Sequence, residues 1–225
     1  MGVDTVSLTG AAALTRTGDL WLFRGRSTAD RLIQTLTNAP VNHVGVAVVL
    51  DDMPPLMFHA EMGKAIPDVW TGRLQRGVQL HDLEAAVLQW TGRYGQRAWF
   101  RQISPEVAPQ QEDALLESIA RLNGVSFPST GRLTARWVRG RWSARRTSFR
   151  TRSGVARRSA ADSAMRLEAA YCAEVVGSTL ESMGVLLPAG NTSWYDPGRF
   201  WSGDDLPLAQ GWEYGREIAV TVNPE

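Results

Sequence analysis

Short apolar runs broken by turn residues fill the first half of this chain and commit it to a fold built on a sheet. VNHVGVAVVL, residues 41–50, is rich in β-branched side chains and reads as a buried strand. Asp51-Asp52-Met53-Pro54-Pro55 reads as a turn, and LMFHAE, residues 56–61, as the strand that follows it. LWLFR after Gly18-Asp19, GVQLHD at 77–82, RAWFRQI at 97–103 and EIAVTV at 217–222 are further strands.

Helical spacing appears between and after them. Ser27 or Thr28 caps STADRLIQTLTN, whose Leu32, Ile33 and Leu36 share one face, and Asn38-Ala39-Pro40 stops it. Asp82 is placed to cap a helix running through Trp90. PQQEDALLESIARLNG, residues 109–124, is amphipathic through Ala114, Leu115, Ile119 and Leu122, with Gly124 as its stop. A last helix is expected from about Ala164 to Met183. Strands joined by short connections, followed by helices, imply an α+β class with a largely antiparallel central sheet packed against helices. The 225 residues fit one domain, 1–225.

Charge is distributed unevenly. Residues 132–158 hold ten arginines and no acid, leaving 14 basic against 23 acidic groups elsewhere. An acidic body thus carries one basic segment, which reads as an insertion that is flexible in free solution. Arg132, Arg136, Arg139, Arg141, Arg145 and Arg146, interleaved with Trp137 and Trp142, suit an anionic membrane surface. Nucleic acid is the weaker expectation for the same residues.

One cysteine excludes an internal disulfide framework. No apolar run reaches the ~18–20 residues that span a bilayer. The N-terminal stretch lacks a basic leader, and its apolar patch GAAAL is short. The expected location is therefore cytoplasmic, peripheral at the inner membrane face if the arginines engage lipid.

The cysteine, Cys172, lies in AYCAEVV beside Tyr171 and Glu174. A thiol near its free pKa of about 8.5 is a weak nucleophile, and a helix N-terminus or a neighbouring imidazolium activates it. Three histidines are available: His43, His59 and His81. His43 opens its strand at the sheet's edge, with Gly45 leaving room beside it. Pairing through the Asp51–Pro55 turn would bring His59 to the same end, where it orients His43. His81, followed by Asp82, reads as a turn or cap residue, and Glu174 as structural. Zinc needs three or four His, Cys or acidic ligands. His43, His59 and Cys172 could supply three, but no HExxH or CxxC occurs, and no metal or cofactor is expected.

GDLWLFRGRS, NHVGVAVVL, MFHAE, YCAEVV and WYDPGRFW, in this order, resemble the permuted branch of the NlpC-type papain-like thiol hydrolases. That is the YiiX-like branch, related to lecithin–retinol acyltransferase. The resemblance implies a circularly permuted papain-like fold in which the histidine strand precedes the cysteine helix. It maps the catalytic histidine onto His43, the third polar residue onto His59 and the nucleophile onto Cys172. Glu61, two residues beyond His59 on the same strand face, is the alternative orienting group, and Tyr171 a supporting one. Asn42 stands where the family more often has a serine-like residue. The implied activity is a cysteine-dependent hydrolase or acyltransferase, working on an amide, ester or thioester of a small molecule, peptide or acyl lipid through an acyl-enzyme. The alternative from another class is a non-catalytic protein that binds anionic membrane or nucleic acid through the arginine segment.

Overall fold

A computed structural model describes residues 4–25, 41–126, 160–188, 195–202 and 206–222, with side chains described outside 160–170. The helix expected at 27–38 and the arginine segment 132–158 lie outside the described residues.

The elements run β1 (Thr5–Ser7), α1 (Leu8–Leu14), β2 (Leu20–Arg24), β3 (His43–Val48), β4 (Leu56–Glu61), β5 (Gly77–Asp82) and α2 (Leu83–Leu88). A π-helical turn (Gln89–Arg93) leads to β6 (Arg97–Arg101) and β7 (Ile103–Ser104). Then come α3 (Pro109–Leu122), α4 (Ala160–Ser182), a 3-10 turn (Pro197–Phe200), β8 (Glu213–Tyr214) and β9 (Ile218–Thr221). The main sheet has seven strands in the order β1-β9-β6-β2-β3-β4-β5. Only the β1–β9 pair is parallel, so the sheet is largely antiparallel, and the class is α+β as the sequence implies.

Because side chains alternate along a strand, each strand feeds two separate cores. On one face Leu20, Leu22, Val44, Val46, Leu56, Phe58, Val78 and Leu80 pack under α3 and α4, with Leu115, Ile119, Val175, Val176 and Leu180. On the other face Trp21, Phe23, Ala47, Met57 and Phe100 pack under α1, α2 and the π-helical turn, with Leu8, Leu83, Val87 and Trp90. Both faces are covered, so β3 and β4 are buried at every position.

Local chemistry sets the element ends. Ser7 caps α1 by accepting from the Gly10 N–H, and Asp82 caps α2 by accepting from the Ala85 N–H. Pro109 opens α3, and Gln111 reaches back to the Ala108 N–H at 3.1 Å. The helix expected through Trp90 is α-helical only to Leu88, after which the π-helical turn swings Trp90 into the core. Asp19, just before β2, ties the chain there to the start of β7, accepting from the N–H groups of Arg16 (2.8 Å) and Ile103 (2.9 Å).

Candidate functional site

β3, β4 and β5 pair in antiparallel order, with His59 opposite Gln79, Met57 opposite His81 and Glu61 opposite Gly77. The odd-numbered residues His43, Gly45, His59, Glu61, Gln79 and His81 therefore share one face, the face of Met57 and Trp90. Gly45 is required there. A Cβ at Gly45 would come within 2.7 Å of the Met57 side chain and 3.3 Å of the His59 Cβ.

The three histidines form one buried hydrogen-bonded row. His43 Nε2 lies 2.9 Å from His59 Nδ1, and His59 Nε2 lies 2.9 Å from His81 Nδ1. His81 Nε2 lies 3.1 Å from Gln79 Oε1. Gln79 fixes the proton order, because its Nε2 donates to the Glu61 carbonyl at 3.3 Å and leaves Oε1 to accept. His81 is then Nε2–H, His59 donates Nε2–H to it, and His43 donates Nε2–H to His59. The row ends on the Nδ1 lone pair of His43, which has no hydrogen-bond partner among the described residues. The His43 ring is stacked on Trp90, centroids 3.8 Å apart.

Burial keeps all three rings neutral. It lowers His43 to about 3, with the His81 charge acting the same way. It takes His59 well below the usual histidine range. It brings His81 down to about 4 against the opposing pull of Asp68 and the Ile66 carbonyl. Burial also raises Glu61, partly offset by hydrogen bonds from Tyr94 Oη (2.9 Å) and Gln89 Nε2 (3.3 Å) to Oε1. The free oxygen, Oε2, approaches His81 Nδ1 at 3.9 Å. With His81 neutral at pH 7, that approach is not an ion pair.

Sequence reasoning places His59 beside His43, and the two are hydrogen-bonded. It differs from the structure in several other respects. His43 is not at an exposed edge but 1% accessible beneath Trp90. His81 is not a turn residue, since β5 continues through it and aims it at His59. Glu61 reaches toward His81 rather than orienting His43. Cys172 lies with Tyr171 in the other core, among Val44, Val46 and Val176, on the opposite face of the sheet from the histidines. It is also about three turns inside α4, where helix N-terminal activation does not reach. The Cys172–His43 pair and the alternative zinc set of His43, His59 and Cys172 are therefore not assembled.

The structure brings together a different set. One ligand atom from each of His59, Glu61 and His81 lies within 4.8 Å of the others, all three residues being buried. The sequence carried a signal for it: two adjacent strands place His59, Glu61, Gln79 and His81 on alternate positions.

The chain is thus an α+β protein with a buried histidine–carboxylate centre. No protein-family model and no curated protein matches it. Among solved structures it is similar to the metalloprotein YiiX from Escherichia coli O157:H7, with a TM-score of 0.44 and 18% identity. That similarity covers 75% of this chain and 66% of the other, just under two thirds of its length. At this TM-score the likeness carries no inference about chemistry. Among the described residues no helix is long and apolar enough to cross a membrane.

Proposed function

We propose that this chain is a metal-binding protein whose centre is His59, Glu61 and His81, selective for a borderline divalent cation such as zinc. The observation that carries the reading is the arrangement of the second atoms. His59 Nε2, His81 Nδ1 and Glu61 Oε2 converge, while the far atom of each ligand is already held, by His43, Gln79 and Tyr94 respectively. Ligating histidines are typically oriented in this way through their other nitrogen. Burial keeps the imidazoles neutral, as ligands must be, and among the described residues the Glu61 carboxylate forms no ion pair with Lys or Arg, although the Arg93 charge acts on it.

Two histidines and one carboxylate are the donor set of hydrolytic zinc centres, with a fourth position left for water or substrate. The ion would supply Lewis acidity there. This chain's own contribution would be orientation: His43 accepts from His59 Nδ1–H once Nε2 is a ligand, moving its own proton to Nδ1.

The test is metal content by inductively coupled plasma mass spectrometry after zinc loading and dialysis. Roughly one ion per chain is expected, falling to background in His81→Gln and Glu61→Gln that retain the native circular dichroism. Wild type that retains no ion refutes the reading.

A second reading is favoured by the order of elements, a Gly18-Asp19 turn, the His43 strand and then the Cys172 helix. It is a permuted papain-like thiol hydrolase or acyltransferase acting on an amide, ester or thioester, docked on anionic membrane through the arginine segment. It requires a rearrangement that brings Cys172, here on the opposite face of the sheet, within reach of His43, so that the thiol reacts as a thiolate. Iodoacetamide labelling across pH 4–10 tests it. Rapid labelling below pH 7 that is lost in His43→Ala supports the thiol reading, and labelling only after denaturation rejects it.

A further inference from the structure

The loop between β4 and β5, residues 62–76, combines exposed apolar side chains with exposed cations. Its tip is apolar and exposed: Trp70 is 56%, Leu74 55% and Val69 39% accessible. Its exposed charges are all positive: Lys64, Arg73 and Arg76. None of the three forms an ion pair among the described residues.

The one acid of the loop, Asp68, is fully buried and engaged. Its Oδ2 accepts from the Thr71 N–H (2.8 Å), the Thr71 hydroxyl (2.7 Å) and Asn123 Nδ2 (3.1 Å). Its Oδ1 accepts from the Leu80 N–H at 2.8 Å. The backbone closes around it, with Asp68 N–H donating to the Arg73 carbonyl, Gly72 N–H to the Asp68 carbonyl and Val69 N–H to the Leu80 carbonyl. The tip is therefore tied to β5 and to the end of α3, and the apolar side chains are presented without an ordering cost at the moment of contact.

We propose that this loop docks the protein on an anionic lipid bilayer, Trp70 and Leu74 entering the interfacial layer and Lys64, Arg73 and Arg76 lying against the headgroups. Tryptophan favours that layer because its ring is apolar and its N–H remains wet. Cations beside it add attraction to anionic lipid that salt weakens. A protein partner would more naturally meet a loop of mixed charge, whereas here the acid is withdrawn and the cations left outside.

The test uses the full chain and sonicated vesicles, either pure phosphatidylcholine or with three parts in ten phosphatidylglycerol. Co-sedimentation is expected with the anionic vesicles, weakened by added salt. Trp70→Ala should reduce partitioning roughly tenfold, and each of Arg73→Gln and Arg76→Gln about fivefold. Because Cys172 is buried, a Leu74→Cys variant can be labelled selectively with an environment-sensitive dye. Dye emission should shift to the blue when anionic vesicles are added. Failure to bind anionic vesicles overturns the proposal. So does binding in which the dye stays water-exposed and Trp70→Ala has no effect, an outcome that assigns the binding to the arginine segment at 132–158 instead.

Discussion

Acidification should destabilise this protein steeply, through groups that face no solvent. Three histidines are held neutral in the folded state, His43 down to about 3, His81 to about 4 and His59 well below its usual range. In the unfolded chain each returns to a pKa near 6.5. Above that value neither state binds a proton, and stability is at its full value. As the pH falls through it, the unfolded chain takes up protons that the folded chain refuses, until the folded values near 4 and 3 are reached. Each such histidine then costs ~1.4 kcal/mol per pH unit, or about 2 kcal/mol between pH 7 and pH 5, giving roughly 6 kcal/mol for three. Two carboxylates act in the opposite sense. Burial pushes Asp19 up to about 6 and also raises Glu61, so the folded state takes up protons there first. Asp19 restores about 1 kcal/mol over the same interval and Glu61 acts in the same direction, leaving a net loss below about 5 kcal/mol. That is a large fraction of the 5–15 kcal/mol typical of a domain. The assay is urea unfolding at pH 7 and pH 5, in chelator so that bound metal does not contribute. His43→Phe should remove about 2 kcal/mol of the pH dependence. A midpoint that is flat across this interval, or an equal slope in the variant, would falsify the neutral buried row.

Other perturbations probe the surrounding structure. Tyr94→Phe removes the hydroxyl that holds Glu61 Oε1, and zinc affinity measured by chelator competition should fall about 10-fold or more with the fold intact. Gly177→Ala would place a Cβ 2.4 Å from the Tyr195 ring, so thermal unfolding should register a loss of ~1–3 kcal/mol. Arg101 donates to the carbonyls of Phe200, Tyr214 and Gly215. Arg101→Met removes its donors from those carbonyls and leaves Glu217, still hydrogen-bonded by Ser202, without its cation, which should cost about 3–5 kcal/mol in denaturant.

The strands were readable because β-branched and aromatic residues cluster between turn residues. LWLFR, LMFHAE and GVQLHD coincide with β2, β4 and β5. The amphipathic α3 was readable through its period, and the Asp82 cap through its residue type. The N-terminal pair β1 and α1 was not, since three strand residues carry too little pattern and their partner is more than 200 residues away. Nor was the π-helical turn at Gln89–Arg93, because no residue preference distinguishes one extra residue per turn from an α-helix. For the site, the His43–His59 contact followed from a turn of known length. Which face the pair occupies is a matter of parity, and parity emerges only once register is known. Motif order alone would set Cys172 beside His43. The alternation that buries Val44 and Val46 against α4 sends His43 the other way.

The parallel pairing of β1 with β9 matters most while the protein is being made. Thr5 lies beside Ala219, Val6 beside Val220 and Ser7 beside Thr221, and β9 stands between β1 and β6. During synthesis β1 therefore has no sheet partner among the described strands until β9, more than 200 residues later, has been made. Until then the edge of β6 that β9 covers has no other strand partner among the described residues, and an uncovered edge is the kind to which a neighbouring polypeptide or a chaperone attaches. A cut that removes β9 would undo β1 as well, although more than 200 residues separate the two in sequence.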